Sequence, residues 1–105
     1  VDINPFVESC FSKNQKKDKI SLMYFWGSWC GPCLDMSHLL DFQKENPEIQ
    51  VLKVNIEENS CIANKYNVAM IPTYVFVKSF KVVNVLVGEQ SLDLLRKAGK
   101  ILEKS

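Results

Sequence analysis

Cys30 and Cys33 stand three residues apart, with Gly31 and Pro32 between them. Thiols this close cannot staple distant loops; the spacing suits a redox switch or half of a metal site. For exchange chemistry the attacking species is a thiolate. A helix start favours that charge through unpaired N–H groups and the positive end of the helix dipole. If a helix begins here, Cys30 sits where those donors point and Cys33 lies one turn inside, less exposed. Cys30 would then attack a partner's disulfide, and Cys33 would attack Cys30 to release the reduced partner. Zinc is the competing reading, because Cys-x-x-Cys is also half of many zinc sites. It is the poorer one, since no second such pair exists and His38 is the only histidine.

The flanking sequence supplies elements to hold the pair. Ile20–Trp26 is a short apolar run that reads as a buried strand ending at the turn signal Gly27-Ser28. The helix that starts around Cys30–Cys33 tolerates Pro32 in its first turn. It carries Met36, Leu39 and Leu40 on one face and ends at Asn46-Pro47. On that wheel His38 points to solvent. Ile49–Ile56 predicts a second buried strand, and Cys61–Tyr66 a short helix. Thr73–Val77 and Val82–Val87 predict two strands joined by Lys78–Lys81, with Gly88 closing the second. Leu92, Leu94, Leu95, Ile101 and Leu102 form the apolar face of a last helix. Upstream, Asn4-Pro5 reads as a cap and first helical residue. Phe6, Val7, Cys10 and Phe11 follow at helical spacing, and Lys13–Lys19 is a lysine-rich loop. Strand and helix alternate, then a hairpin and a helix follow. The order predicts an α/β fold, a central mixed sheet with helices on both faces and one antiparallel pair.

A chain of 105 residues fits one domain spanning 1–105. A domain of this size buries roughly 60–70% of its unfolded surface and needs no staples. The net charge of +1 offers no basic field for nucleic acid. No apolar run approaches the ~20 residues that span a bilayer. No signal peptide is visible. The chain begins at Val1 rather than Met, which leaves an upstream targeting segment open.

The segment Phe25-Trp26-Gly27-Ser28-Trp29-Cys30-Gly31-Pro32-Cys33 resembles the active-site segment of the thioredoxin family. Lys53-Val54-Asn55-Ile56 resembles that family's third strand, Ile71-Pro72-Thr73 its cis-proline loop, and Gly88 the glycine ending its last strand. Order and spacing agree from about Ile20 to the C-terminus. The resemblance implies a thioredoxin fold and a cis bond before Pro72. It also implies an apolar docking groove beside Cys30 built from Trp29, Gly31, Pro32, Ile71, Pro72 and Gly88. The Ile71 backbone would pair with bound peptide in a strand-like way, a mode that tolerates many sequences.

Several positions depart from the family pattern. Tyr24 stands where the family carries a buried aspartate that helps deprotonate the resolving thiol. A phenol of ordinary pKa near ~10 is neutral at pH 7 and cannot replace that base. Lys53 matches the lysine that partners the aspartate; here it is either a catalytic modulator or a strand lysine snorkelling to solvent. Leu34 replaces a lysine, Glu89 an alanine, Met70 a small residue and His38 a proline that kinks the second helix. These changes make one side of the groove rim greasier and another acidic. Cys10 reads as a core thiol. Cys61 is either a plain structural thiol or a partly exposed regulatory or dimer-forming one. Trp26 reads as core rather than contact, and Phe80 as a changed turn or an exposed apolar contact.

The expectation is a protein-disulfide reductase with Cys30 as nucleophile and Cys33 as resolving thiol. It needs no metal or organic cofactor beyond the Cys30–Cys33 disulfide. Its partners would be protein disulfides and a thioredoxin-reductase-type electron donor, with no nucleic acid or membrane partner. A monomer in the cytoplasm or an organelle is expected. A disulfide oxidase or isomerase is the rival within the same chemistry, and a redox potential separates them. A thioredoxin-fold binding subunit of an assembly is the rival from another class; it would keep its function without Cys33.

Overall fold

A computed structural model describes residues 20–78 and 81–103. The expected first helix with Cys10, the loop 13–19 and Phe80 lie outside the described residues. The elements run β1 (Ile20–Trp26), α1 (Gly31–Leu34), α2 (Ser37–Glu45), β2 (Gln50–Asn55), α3 (Ser60–Lys65), β3 (Thr73–Lys78), β4 (Lys81–Val87) and α4 (Leu92–Glu103).

The strands form one mixed sheet in the order β2-β1-β3-β4. β1 is central, which explains why its sequence is apolar on both faces without alternation. It pairs parallel with β2 and antiparallel with β3, and β3 pairs antiparallel with β4. Among the described residues the sheet therefore has two antiparallel pairs rather than the one expected. Strands far apart in sequence leave no local mark of their mutual direction.

Alternate residues of β1 feed two cores. Ile20, Leu22 and Tyr24 pack with Leu39 and Phe42 of α2 and with Leu95 and Ala98 of α4. Met23 and Phe25 pack on the other face with Ile62 and Ala63 of α3. Helices thus cover both faces, as the order of elements predicts. In α4, Leu95 and Ala98 turn inward while Leu94 and Ile101 are exposed, so the apolar face is narrower than read from sequence.

The predicted single helix after Cys30 is two helices. Asp35 is extended (φ −86°, ψ 102°) and breaks the run. Its carboxylate accepts from the Ser37 N–H at 3.2 Å and the Ser37 hydroxyl at 2.8 Å. An aspartate that bonds the backbone two residues ahead offers the chain an alternative to the helix ladder. The break resets the helical phase. Leu40, expected in the core, is exposed, and Met36 and Leu39 remain packed inward. The end of α2 is capped by Asn46, whose backbone N–H (2.9 Å) and side-chain Nδ2 (3.0 Å) both donate to the Phe42 carbonyl.

Candidate active site

Cys30 and Cys33 are joined by a disulfide, with Cα atoms 5.3 Å apart. Cys30 keeps 7% of its surface exposed and Cys33 none. The asymmetry agrees with the expectation that Cys33 lies deeper. The expected stabilisation of the Cys30 thiolate by a helix dipole needs correction. The helix that Cys30 caps is only four residues long, so no long helix dipole aims at the sulfur. Pro32 contributes no N–H, and the Cys33 N–H donates to the Cys30 carbonyl at 3.1 Å.

The turn that presents Cys30 is fixed by residues distant in sequence. The Cys30 N–H donates to the Gly27 carbonyl at 3.1 Å. The Ser28 N–H and hydroxyl donate to the Glu57 carboxylate at 2.9 and 2.8 Å, and those bonds hold its pKa below the ordinary value. A Cβ on Gly27 would stand 3.0 Å from the Ile71 side chain and 3.2 Å from the Trp29 ring. A bare backbone at 27 therefore leaves room for both side chains to lie against it. Sequence reading took Gly27 only as a turn residue and missed Glu57, which no motif marks.

The Ile71–Pro72 peptide bond is cis, as the resemblance implies. The Thr73 hydroxyl donates to the Met70 carbonyl within this loop. The Gly88 N–H donates to the Pro72 carbonyl at 2.8 Å, joining the end of β4 to the loop. Gly88 has φ +90°, a conformation that L side chains rarely adopt. Trp29, Gly31 and Pro32 are exposed, Ile71 and Gly88 half-buried and Pro72 buried. The rim residues Leu34 and Met70 are exposed apolar side chains, at 55% and 65%.

Behind the dithiol, Tyr24 is fully buried, and its hydroxyl donates to the Cys33 carbonyl at 2.8 Å. Burial and the neighbouring Tyr74 push its pKa far above the usual phenol range, so it stays protonated and is no general base. Lys53 pairs with Tyr24 across β1 and β2. It lines a small crevice with Met36, Leu39 and Leu40, an apolar wall suited to a lysine stem. Trp26 is half-buried against the core, as expected. Cys61 is exposed in the first turn of α3, and its sulfur is in a disulfide. No cluster of His, Cys, Asp or Glu among the described residues could hold a metal ion.

His38 corrects the expectation of a solvent-facing ring. It is half-buried, and its Nε2 lies 2.6 Å from the Tyr74 hydroxyl. It stands one residue before Leu39 and four before Phe42, the two buried residues of α2, and so borders the face that packs on the sheet. Burial lowers its pKa below the ordinary value, with Asp35 and Glu89 pulling weakly the other way. The folded state thus binds fewer protons than the unfolded chain just below pH ~6.5, and stability should fall as pH drops through that value. The loss stops growing once pH passes below the depressed folded pKa. Thermal melts between pH 7.5 and 5 should show this component in the wild type and not in His38→Gln.

A family model described as Thioredoxin matches residues 3–100. The chain is 38% identical over 90 residues to thioredoxin-T of Drosophila melanogaster, covering 84% of this chain and 55% of the fly protein. It therefore spans little more than half of that relative's length. It is 35% identical over 82 residues to a thioredoxin of Chlorobaculum thiosulfatiphilum, covering 76% of each chain. The fold superposes on the crystal structure of thioredoxin from Trypanosoma brucei brucei with a TM-score of 0.86 at 25% identity, covering 100% of this chain and 91% of that one. The chain belongs to the thioredoxin family, and Cys30–Cys33 is the redox-active disulfide of a thiol–disulfide oxidoreductase.

Proposed function

We propose that the chain reduces protein disulfides, with Cys30 as nucleophile and Cys33 as resolving thiol. The observation that carries the assignment is the difference between the two cysteines: Cys30 keeps 7% of its surface accessible beside the exposed Trp29, and Cys33 keeps none. The Cys30 thiolate attacks one sulfur of the partner disulfide. A new S–S bond forms, and the other partner sulfur leaves as a thiolate and takes up a proton. Cys33 then loses its proton and attacks Cys30. The second partner sulfur leaves with a proton, and the chain is left oxidised by two electrons. A thioredoxin-reductase-type donor returns them.

Partners dock on Trp29, Gly31, Pro32, Ile71, Pro72 and Gly88. The exposed Leu34 and Met70 widen the apolar rim, which favours partner segments with apolar residues flanking their disulfide.

Cys33→Ser tests the roles. Turnover on an oxidised peptide should be abolished, and Cys30–partner mixed disulfides should accumulate. Cys30→Ser should trap nothing. Turnover that survives Cys33→Ser, or adducts on Cys33 in Cys30→Ser, would overturn the assignment.

A further inference from the structure

The side chains behind Cys33 form a continuous polar and aromatic column. The Tyr24 hydroxyl donates to the Cys33 carbonyl. The Tyr24 and Tyr74 rings are 5.0 Å apart at 56°, and the two hydroxyls interact. The Tyr74 hydroxyl meets His38 Nε2 at 2.6 Å. The imidazole is edge-on to both rings, at 6.1 Å from Tyr24 and 5.8 Å from Tyr74. Beyond His38 the column opens into a cleft of about 420 Å³ bordered by Pro32, Asp35, Glu89 and Gln90. One end therefore touches the resolving cysteine and the other reaches solvent.

We propose that His38 is a positioning residue for the resolving step, acting on Cys33 through Tyr74 and Tyr24. This rests on the role assigned to Cys33 above. The charged and titratable groups facing the imidazole are Asp35 between α1 and α2, Glu89 after β4, Tyr24 on β1 and Tyr74 on β3. Burial pushes Tyr74 up to about 12, and Tyr24 is raised further, so neither phenol changes charge near neutrality. Imidazole is the member of the column that does.

Protonated His38 has two N–H donors and no acceptor. Nε2–H must then donate to the Tyr74 oxygen. The Tyr74 O–H turns to the Tyr24 oxygen, and the Tyr24 O–H stays on the Cys33 carbonyl. Every dipole of the chain then points its positive end toward Cys33. Neutral His38 with a bare Nε2 accepts from Tyr74 instead, and the link between the phenols is lost. Charging His38 thus favours the Cys33 thiolate, because a positive potential near a thiol stabilises its charged form.

A thiol with no such coupling resolves with a rate that falls tenfold per pH unit below its pKa. With coupling, the resolving rate should show a shoulder below pH ~6.5, where His38 charges and offsets part of the fall. A coupling between sites of ordinary size displaces the low-pH limb upward by about fivefold or more. First attack by Cys30 should show no shoulder.

The test is rapid acid quench of the reduced protein mixed with an oxidised peptide, with mass mapping of the Cys30 adduct, from pH 5 to 8. His38→Gln keeps a polar side chain that does not titrate, and Tyr74→Phe removes one oxygen. Both should turn the shoulder into a straight line while the adduct still forms. A wild-type profile without a shoulder, or one that survives either substitution, overturns the proposal. Those results leave the Cys33 role standing, since Cys33→Ser trapping tests that separately.

Discussion

Replacing Phe42 with alanine should lower the melting temperature by roughly 15–30 °C. Phe42 is fully buried on α2. Its ring meets Phe76 of β3 edge-to-face, with centroids 6.3 Å apart. A Cβ on Gly99 of α4 would stand only 3.3 Å from it. The ring therefore fills the space where α2, the sheet and α4 converge, and Gly99 is bare so that α4 can close over it. Truncating a buried phenylalanine costs about 3–5 kcal/mol through lost burial and the cavity left behind. In a domain of this size each kcal/mol shifts the midpoint by about 4–8 °C. Phe42→Leu refills much of the space and should lose far less. Calorimetry on both variants decides the matter, and an alanine variant melting within a few degrees of wild type would show that the core is not organised around this ring.

Tyr24→Asp should change the two chemical steps unequally. Resolution needs the Cys33 proton removed at a site with no exposed surface, where burial raises the thiol pKa. Tyr24 offers a hydroxyl that stays protonated and bonds to the Cys33 carbonyl, so it cannot take that proton. A carboxylate in its place can act as general base, a role worth about 10²–10⁴-fold when geometry is favourable. Release of the reduced partner should accelerate about tenfold or more, while first attack by Cys30 changes little. The variant should also lose about 3–5 kcal/mol of stability, because an aromatic ring is deleted from the core and a carboxyl left buried. Lys53, its cross-strand neighbour, limits that loss. Tyr24→Phe keeps the ring and gives the reference for stability. Rapid-quench rates of adduct formation and decay measure both steps. Unchanged or slower decay in a folded Tyr24→Asp protein would mean that proton removal does not limit resolution.

How much of this was legible in the sequence depends on how local the cause is. β1 is legible to the residue because a strand buried on both faces is apolar along nearly its whole length, with Ser21 the one polar residue. The dithiol was readable because its chemistry lies in a three-residue step. The groove was legible only through family resemblance, since Pro72 and Gly88 meet through a backbone bond between β4 and a distant loop. His38 and Leu40 were misplaced for a single reason. The wheel centres the apolar face on Met36, Leu39 and Leu40, whereas the buried face of α2 runs through Leu39 and Phe42, which puts His38 beside it and Leu40 outside. The break between α1 and α2 has its own signal in the Asp35-x-Ser37 spacing, an aspartate poised to bond the backbone ahead. Glu57 left no signal, because its bond to the Ser28 turn spans 29 residues.

The packing of Tyr24, Tyr74 and His38 also limits how the chain can be inherited. The three rings share one volume, and side chains in contact do not contribute independently. A lineage that acquires an acid at position 24 by one substitution opens a cavity beside residues 38 and 74, which pack against the Tyr24 ring. The reverse change, from an acid to tyrosine, demands space that a different residue at 38 or 74 must first vacate. Fitness at each position is therefore conditional on the other two, and substitutions here should be ordered in time, with the set drifting as one heritable unit.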